Sequence, residues 1–182
     1  MSDAQVPAHA ELVRRFANTL DEEDGSDKIA SPVELTRWLR DQGLLRGRSR
    51  ASEPDVRLAA AVRTGLRSLL DAHHDGVAER PAPAFAAACG QLPLRLTFDA
   101  GAPALAAEHA GVRGALAQIL VAVADGRHDG SWQRLKICPA DSCRVAFYDS
   151  SRNRSRTWCS MQVCGNRTKT RAYRVRRSAA GA

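Results

Sequence analysis

The sequence predicts a mainly α-helical protein with a small β-hairpin, an α+β chain divided into a helical domain over residues 1–130 and a basic module over residues 131–182. Three observations indicate this architecture. Apolar residues recur at helical spacing through most of the first 130 residues. The stretch 92–98 alternates apolar and polar residues, as a half-buried strand does. Four of the five cysteines lie in the last third of the chain.

The helical domain contains five predicted helices. The first spans Ala8 to Leu20. The second is opened by Ser31-Pro32-Val33-Glu34, which has the form of a capping box with proline at the first helical position, and it continues to about Asp41. Ser52 and Asp55 can cap a longer third helix. The remaining two helices are predicted over Pro81–Gly90 and along the apolar positions Val112, Leu116, Ile119, Leu120 and Val123.

The predicted strand at Leu92 to Phe98 needs a partner, and we expect it to form a hairpin with residues 103–107. The domain therefore carries a two-stranded hairpin beside its helices. Glycines at both ends of the 126–130 segment, followed by a change in composition, predict a hinge between the helical domain and the basic module.

Charge is unevenly distributed along the chain. Residues 131–182 contain 12 Lys and Arg against 2 Asp and Glu, a net charge of +10, whereas the first 130 residues have a net charge of −3. Ten of the 12 basic residues are arginines, which bind phosphate and guanine in a bidentate manner. The asymmetry predicts a polyanionic partner for the basic module, and we expect that partner to be DNA.

No uninterrupted apolar run exceeds six residues, the length of Ile119 to Ala124, which is too short for a transmembrane helix. The first residues, MSDAQVPAHAELVRRF, lack the basic-then-apolar order of a secretory signal. These features predict a cytoplasmic protein with no membrane partner. In a reducing compartment, cysteines paired at fixed spacing bind metal more often than they form disulfides.

Cys138, Cys143, Cys159 and Cys164 form two C-x4-C pairs separated by 15 residues. Each pair is short enough for a tight turn to direct both thiolates at one ion, as in a tetrahedral zinc site. Four protein thiolates leave no position for water, so the spacing predicts one structural Zn²⁺ and not a catalytic metal. Disulfides, buried free thiols and an iron–sulfur cluster are the alternatives. Cys89 lies far from this set and is predicted to be a small buried apolar residue.

The segment between the two cysteine pairs predicts a hairpin. Residues 145–148 are apolar and aromatic, residues 149–153 are rich in turn formers, and residues 156–158 can return as the second strand. The sequence after Cys164 is compatible with a helix as far as Arg177. A cysteine turn, a hairpin and a helix that carries the last ligand follow in the order of a treble-clef zinc finger, whose folding depends largely on the metal.

Cys164-Gly165-Asn166-Arg167 resembles the signature of the CGNR zinc fingers. The N-terminal part resembles the ABATE domain, which precedes this finger in bacterial proteins described as stress-induced transcription regulators; Phe16–Leu20 and Leu35–Leu39 carry this second likeness. The resemblance covers almost the whole chain and implies a zinc-binding regulator of transcription. Further positions that fit the finger's pattern are Cys143-Arg144, Phe147, Asp149, Ser151-Arg152, Arg156, Trp158-Cys159-Ser160, Lys169 and Tyr173.

Seven basic residues are predicted to contact nucleic acid: Arg152, Arg154, Arg156, Arg167, Lys169, Arg171 and Arg174. In a helix after Cys164, Arg167, Arg171 and Arg174 would fall at i, i+4 and i+7 and form one stripe. The arginines of the predicted hairpin tip form a second surface, and the two surfaces could contact phosphates on either side of a groove. The alternative is that some of these residues only solvate the module, pair with the acidic domain or, as for Arg167, brace the fold.

The helical domain is predicted to sense a small molecule or to bind a partner. Asn18 and Thr19, polar residues at the end of an apolar helical stripe, and Arg63 on the long helix are candidate ligand-binding residues. The alternatives are a hydrogen-bonding role at the helix end for Asn18 and Thr19, and a solvated position for Arg63. His73 and His74 are expected to be an exposed pair at a helix end.

The sequence makes no case for an enzyme, because it contains no HExxH motif, phosphate-binding glycine loop, nucleophile elbow or paired-carboxylate arrangement. We therefore interpret the chain as a zinc-dependent, DNA-binding transcription regulator, and dimerisation through the helical domain is an added hypothesis. The alternatives are a zinc module that binds RNA or protein, and a redox switch in which oxidation of the thiols releases zinc.

Overall fold

The computed structural model describes residues 6–74, 78–99, 101–167 and 170. The α-helices with both ends in this part of the chain are α1 (Ala8–Ala17), α2 (Pro32–Asp41), α3 (Glu53–Asp71), α4 (Pro83–Cys89) and α5 (Gly111–Asp129). The strands are β1 (Leu94–Asp99), β2 (Ala102–Ala107), β3 (Leu135–Ile137) and β4 (Ala146–Tyr148), and a π-helical turn spans Met161–Gly165. The predicted mainly α-helical α+β fold is confirmed. None of the helices described is long and apolar enough to cross a membrane.

Serine residues begin α2 and α3 where the sequence predicts them. Oγ of Ser31 accepts a hydrogen bond from N–H of Glu34 (3.3 Å) and donates one to its carboxylate (2.7 Å). The N–H and the hydroxyl of Ser52 both donate to the carboxylate of Asp55, at 2.9 and 2.6 Å. These contacts supply partners for polar groups that the first turn of a helix leaves unpaired.

The first helix ends at Ala17 and not at Leu20 as predicted. The N–H and the hydroxyl of Thr19 both donate to the carbonyl of Phe16, at 3.1 and 2.8 Å, which closes the last turn. Leu20 then pairs with Asp27 in an isolated β-bridge. The chain therefore leaves the helix axis after Asn18, and the acidic loop that follows folds back on itself.

The hydrophobic core of the helices extends into the β3–β4 hairpin. Phe16 of α1, Leu66 of α3 and Leu116 of α5 are completely buried in this core. From the C-terminal part of the chain, the same core contains Trp132, Leu135, Ile137 and Ala146. The hairpin contacts α1 through β4 and α3 through β3. The helices therefore determine where the segment that carries the first two cysteines lies.

The predicted strand at Leu92 to Phe98 is confirmed as β1, and β2 is its predicted partner. The cross-strand pairs on one face are Leu94 with Ala107, Leu96 with Leu105, and Phe98 with Pro103. Leu94 packs against the core, whereas Leu96 and Phe98 are 59 % and 73 % exposed. The hairpin therefore contacts the core at one end and extends into solvent at the other.

The predicted hinge at residues 126–130 is wrong. Helix α5 continues to Asp129, and Gly130 ends it with a φ of +77°, the left-handed conformation that favours glycine after a helix. Gly126 is buried within α5, where a Cβ would lie 3.2 Å from Oγ of Ser131. One glycine therefore permits close packing and the other ends the helix, so neither provides a flexible joint.

The predicted strand pairing in the basic module is also wrong. β4 pairs with β3, which precedes the first cysteine. Leu135 and Ile137 of β3 are buried in the core, so burial of apolar side chains favours this pairing. The described residues 156–158 form no strand, and the carbonyl of Arg156 instead accepts a hydrogen bond from Nζ of Lys136 (3.1 Å).

Candidate metal centre and its basic surroundings

The first cysteine pair lies in the turn that joins β3 to β4. Cys138 follows β3 directly, and its N–H donates to the carbonyl of Val145 (2.9 Å), which extends the strand pairing by one residue. The N–H groups of Cys143 and Arg144 both donate to the carbonyl of Ala140, at 2.8 and 3.2 Å. This tight turn holds both thiols at the end of the hairpin.

The second cysteine pair flanks the start of the π-helical turn, with Cys159 before it and Cys164 within it. Gly165 follows directly, where a Cβ would lie 2.4 Å from the sulfur of Met161 and 3.2 Å from Cδ1 of Trp158. A side chain here would displace the methionine and crowd the indole ring. The glycine therefore allows the chain to pack closely beside the last cysteine.

The four thiols converge on one point. The sulfur atoms of Cys138, Cys143, Cys159 and Cys164 all lie within 4.8 Å of one another. The sulfur of Cys159 is 3.5 Å from that of Cys143 and 3.6 Å from that of Cys164. A tetrahedral zinc ion with zinc–sulfur bonds of about 2.3 Å places its sulfur ligands about 3.8 Å apart. The cluster therefore fits one zinc ion with four thiolate ligands and no position for water.

Burial and the closeness of the four thiols to one another shift their pKa values. Burial acts to raise the pKa of Cys138, but hydrogen bonds from neighbouring backbone and thiol groups outweigh it, so this pKa is lowered. Burial raises the pKa of Cys164 to about 11. Burial and the neighbouring thiols also raise the pKa of Cys159. Zinc must displace protons from these thiols because the thiolate is the ligand.

Two side chains from the helical part bind the backbone of the cysteine-bearing hairpin. The amide of Asn18 donates to the carbonyl of Ala146 (2.9 Å) and accepts from its N–H (2.7 Å). Nη2 of Arg67 donates to the carbonyl of Arg144 (2.8 Å). Arg144 in turn forms an ion pair with Asp71 of α3 at 3.1 Å. The orientation of the metal centre relative to α1 and α3 therefore depends on these hydrogen bonds and this ion pair as well as on apolar packing.

The candidate ligand residues of the N-terminal part have internal partners. Arg63 is 4 % exposed, so the expectation that it is solvated is wrong. Its guanidinium forms a bidentate ion pair with Asp27, at 2.6 and 2.7 Å, and this hydrogen bonding lowers the pKa of Asp27. Nη1 of Arg63 also donates to the hydroxyl of Thr19 (2.9 Å). The structure therefore brings Thr19 and Arg63 together, whereas Asn18 points to the cysteine-bearing hairpin.

The two histidines after α3 are not the exposed pair that the sequence predicts. Nδ1 of His73 lies 2.6 Å from the carbonyl of Leu135, and its Nε2 lies 2.9 Å from the carboxylate of Glu79. Nε2 of His74 lies 2.5 Å from the carbonyl of Ile137. The rings therefore contact two carbonyls of β3, and they position the strand that leads to the first cysteine.

Residues 149–156 lead from β4 towards the second cysteine pair, and we call this segment the arginine loop. A buried ion pair between Lys136 and Asp149 fixes it in place. Asp149 is completely buried, and one carboxylate oxygen accepts hydrogen bonds from Nζ of Lys136 (2.8 Å) and N–H of Arg156 (2.9 Å). The other oxygen accepts from the N–H and hydroxyl of Ser151, at 2.9 and 2.5 Å. Burial acts to raise the pKa of Asp149, but the hydrogen bonds from Lys136 and Ser151 hold it below its usual value.

The arginine loop presents Arg152 and Arg154 to solvent. The backbone of Arg154 has a φ of +51°, and its carbonyl accepts a hydrogen bond from Nζ of Lys136 (2.6 Å). Nη1 of Arg134 binds the carbonyls of Asp149 and Ser151, at 3.0 and 2.9 Å. Two of the predicted nucleic-acid contacts therefore have exposed side chains on a backbone that the buried Lys136 and the half-buried Arg134 hold in place.

Arg156 and Arg167, also predicted to contact nucleic acid, are exposed but have partners within the chain. The guanidinium of Arg156 donates to the carbonyl of Cys159 and lies over the ring of Phe147. Nη1 of Arg167 donates to the hydroxyl of Ser142 (2.9 Å) and lies 3.5 Å from the carboxylate of Glu23. The remaining predicted contacts, Lys169, Arg171 and Arg174, lie outside the described residues.

Sequence reasoning missed several of the residues that hold this site together. Arg67 lies four residues after Arg63, and both are buried on the apolar face of α3. Two arginines within an apolar stripe were the signal that could have identified buried ion pairs. Asp149 belongs to the pattern of the CGNR resemblance, but its partner Lys136 is 13 residues away. Only the structure shows that the two are in contact.

Comparison with known families matches two parts of the chain. The family model described as "CGNR zinc finger" matches residues 134–177. The ABATE family model, described as "Putative stress-induced transcription regulator", matches residues 10–126, which is more than half of the chain. A comparison with curated proteins found no significant match. Neither family description is that of an enzyme. The chain therefore belongs to the ABATE family and carries a CGNR zinc finger with a site for one zinc ion, so that it is a zinc-binding regulator.

Proposed function

We propose that this regulator binds duplex DNA through residues 131–182 and senses a small molecule or a partner through residues 1–130. Zinc has a structural role in this proposal, because four thiolate ligands leave the ion no position for a substrate. The ion joins the two cysteine turns on either side of the arginine loop and so stabilises the DNA-contacting surface. The proposed setting is the cytoplasm, where cysteines remain reduced.

The observation that carries the proposal is the exposure of Arg152 and Arg154 on a fixed loop. The buried pair Lys136–Asp149 holds the backbone of this loop. A side chain on a fixed backbone loses less conformational entropy on binding than one on a mobile segment. Guanidinium groups also match phosphate oxygens in a bidentate geometry. These two residues are therefore the proposed first contacts with the DNA backbone.

Arg167, Lys169, Arg171 and Arg174 form the proposed second contact surface. The 3.5 Å separation of Arg167 from Glu23 is long for an ion pair between exposed groups, which contributes little to stability. A DNA phosphate can therefore replace Glu23 at small cost. Such an exchange would also separate the finger from the acidic loop of the N-terminal part, which is the proposed link between DNA binding and sensing.

The proposal is tested by measuring binding of the zinc-loaded full chain to a duplex DNA library and to matched RNA, at several salt concentrations. We expect enrichment of a few duplex sequences and loss of binding after chelation. The variant Arg152→Gln/Arg154→Gln should bind more weakly, and the slope of log K against log salt should decrease in magnitude by about 0.9 for each phosphate contact removed.

The control variant is Arg95→Gln, which removes an exposed arginine from β1. It should bind DNA as the unaltered chain does. Equal losses per removed charge in the two variants would show that general positive charge, and not the arginine loop, determines binding. A preference for RNA at matched salt would favour the alternative of an RNA-binding zinc module, and no nucleic-acid binding at all would favour a protein partner.

A thiol-based redox switch is the second candidate function, and the position of Cys159 favours it. Cys159 is half-buried and lines a cavity of about 550 Å³ between α1 and β4. Peroxide that enters this cavity could take two electrons from the thiolates of Cys159 and Cys143, which would form a disulfide while the peroxide is reduced to water. Reversible zinc release by mild peroxide, together with loss of DNA binding, is the expected sign of such a switch. Retention of zinc under these conditions would exclude it.

A further inference from the structure

The outer face of α2 and the segment before α3 enclose a groove of about 440 Å³ that is separate from the metal centre. We call it the α2 groove, and its lining includes Val33, Arg37, Arg40, Asp41 and Arg50. Small-molecule sites in proteins usually have volumes of roughly 300–1,000 Å³. The α2 groove is therefore large enough for a small organic ligand.

Three arginines, Arg37, Arg40 and Arg50, line the α2 groove. Arg37 and Arg50 are exposed, and within the described part of the chain no carboxylate pairs with either of them. Arg63 and Arg144, by contrast, each form an ion pair with an aspartate. Cations that converge on a groove without an internal counter-ion provide a site for an anionic group.

Hydrogen bonds connect the two sides of the α2 groove. Oγ1 of Thr36 on α2 accepts from the N–H of Ala51 (2.8 Å). Nη2 of Arg40 donates to the carbonyls of Gly47 and Ser49, at 3.3 and 3.0 Å. These contacts hold the segment before α3 against α2. The groove is therefore formed in advance of binding, which reduces the entropy that a ligand would lose.

The α2 groove also has an apolar side. Val33 is 67 % exposed, and Pro32 and Ala51 lie beside it on the lining. An exposed valine next to arginines provides an apolar contact for a ligand whose charged end the guanidinium groups bind. Asp41, at the same groove, repels a second negative charge. The combination favours a ligand with a single anionic group and an apolar body.

We propose that the α2 groove binds a small organic carboxylate with an aromatic or branched apolar body. Arg37 and Arg50 would bind the carboxylate, and Val33 would contact the apolar body. This inference rests on the proposed sensing role of residues 1–130. The groove is not a nucleic-acid surface in this proposal, although residues 37–50 contain five arginines and one aspartate. Arg48 of this segment is exposed but does not line the groove. A long polyanion would contact Arg48 as well as the groove, whereas a small ligand would not.

The test is calorimetric titration of the zinc-loaded full chain with benzoate and 1-naphthoate, with benzyl alcohol and inorganic phosphate as comparison ligands. We expect saturable binding of both carboxylates, tighter binding of naphthoate, and much weaker binding of the alcohol and of phosphate. Arg37→Gln and Arg50→Gln should each weaken carboxylate binding roughly tenfold, the effect of losing one charged hydrogen bond. Val33→Ser should reduce the preference for naphthoate over benzoate.

Arg48→Gln is the matched control, because it removes an exposed arginine from the same segment without altering the lining. It should leave carboxylate binding unchanged, and circular dichroism should show the same helix content in all variants. No saturable binding, phosphate binding as tight as benzoate binding, or equal losses in the control and groove variants would overturn the proposal. These titrations contain no DNA, so their failure is distinct from a failure of the DNA-binding proposal.

Discussion

Asn18 and Ala146 are 128 residues apart in the chain, and two hydrogen bonds of 2.9 and 2.7 Å join them. The side-chain amide of Asn18 binds the carbonyl and the N–H of Ala146 as a neighbouring β-strand would. One asparagine after α1 therefore occupies the edge of the hairpin that carries the first cysteine pair.

Asn18→Asp should destabilise the fold, because a carboxylate cannot donate to the carbonyl of Ala146 and instead places a negative charge beside it. We expect the free energy of unfolding to fall by about 1–3 kcal/mol, the usual cost of an unsatisfied buried polar group. Urea unfolding of the zinc-loaded chain measures this change in the free energy of unfolding. Asn153→Asp in the exposed part of the arginine loop is the control and should have little effect. Equal changes in the two variants would contradict a specific role for Asn18.

Lys136→Met should destabilise the arginine loop, because it leaves the completely buried carboxylate of Asp149 without its cation. Breaking a buried ion pair from one side costs about 3–5 kcal/mol of unfolding free energy. The double variant Lys136→Met/Asp149→Asn removes the unpaired charge and should recover part of this loss. Urea unfolding at neutral pH distinguishes the two variants. If the double variant were no more stable than the single one, the buried charge would not be the cause.

Cys164→Ser should lose the metal, because it removes one of the four converging thiols. We expect metal analysis of the purified chain to fall from one zinc per chain to much less, while circular dichroism shows that α1–α5 are retained. Cys89→Ser is the control, since Cys89 packs beside the core on α4 and should leave the zinc content at one. Stoichiometric zinc in the Cys164 variant would reject the ligand assignment.

Zinc affinity should decrease as the pH falls. Burial raises the pKa of Cys164 to about 11, and the pKa of Cys159 is also raised, so protons occupy these sulfur atoms at neutral pH until zinc displaces them. Lower pH makes that displacement less favourable, because the metal competes with more protons. Competition with a calibrated zinc chelator between pH 6 and 8 measures the affinity, with the chelator's own protonation corrected. An affinity that does not change over this range would show that the thiols are already ionised before binding.

The helix starts and the metal site could be predicted because their signals are local. A capping serine and the acidic residue three positions later interact within one turn, as Ser31 and Glu34 do. Two C-x4-C pairs restrict their thiols to tight turns whatever surrounds them. Alternation in β1 likewise identified a strand without knowledge of its neighbours. Each of these predictions needed only a few consecutive residues.

The strand pairing and the roles of buried polar residues could not be predicted in this way. Arg67 binds the carbonyl of Arg144, 77 residues away, and His73 contacts the carbonyl of Leu135, 62 residues away. Nothing near Arg67 or His73 in the sequence identifies these partners. The same limit explains the hinge expected at residues 126–130, where close packing against Ser131 accounts for Gly126.

By itself, the sequence determined the helical character of the chain, the four cysteines that form a site for one zinc ion, and the concentration of positive charge after residue 130. Those properties depend on residue type and on spacing over one or two turns. The tertiary structure alone decided that β3 pairs with β4, that Asn18 and Arg67 bind this hairpin, and which arginines remain exposed. These outcomes follow from burial and hydrogen bonding between segments far apart in the chain, where the most favourable partner depends on the whole fold.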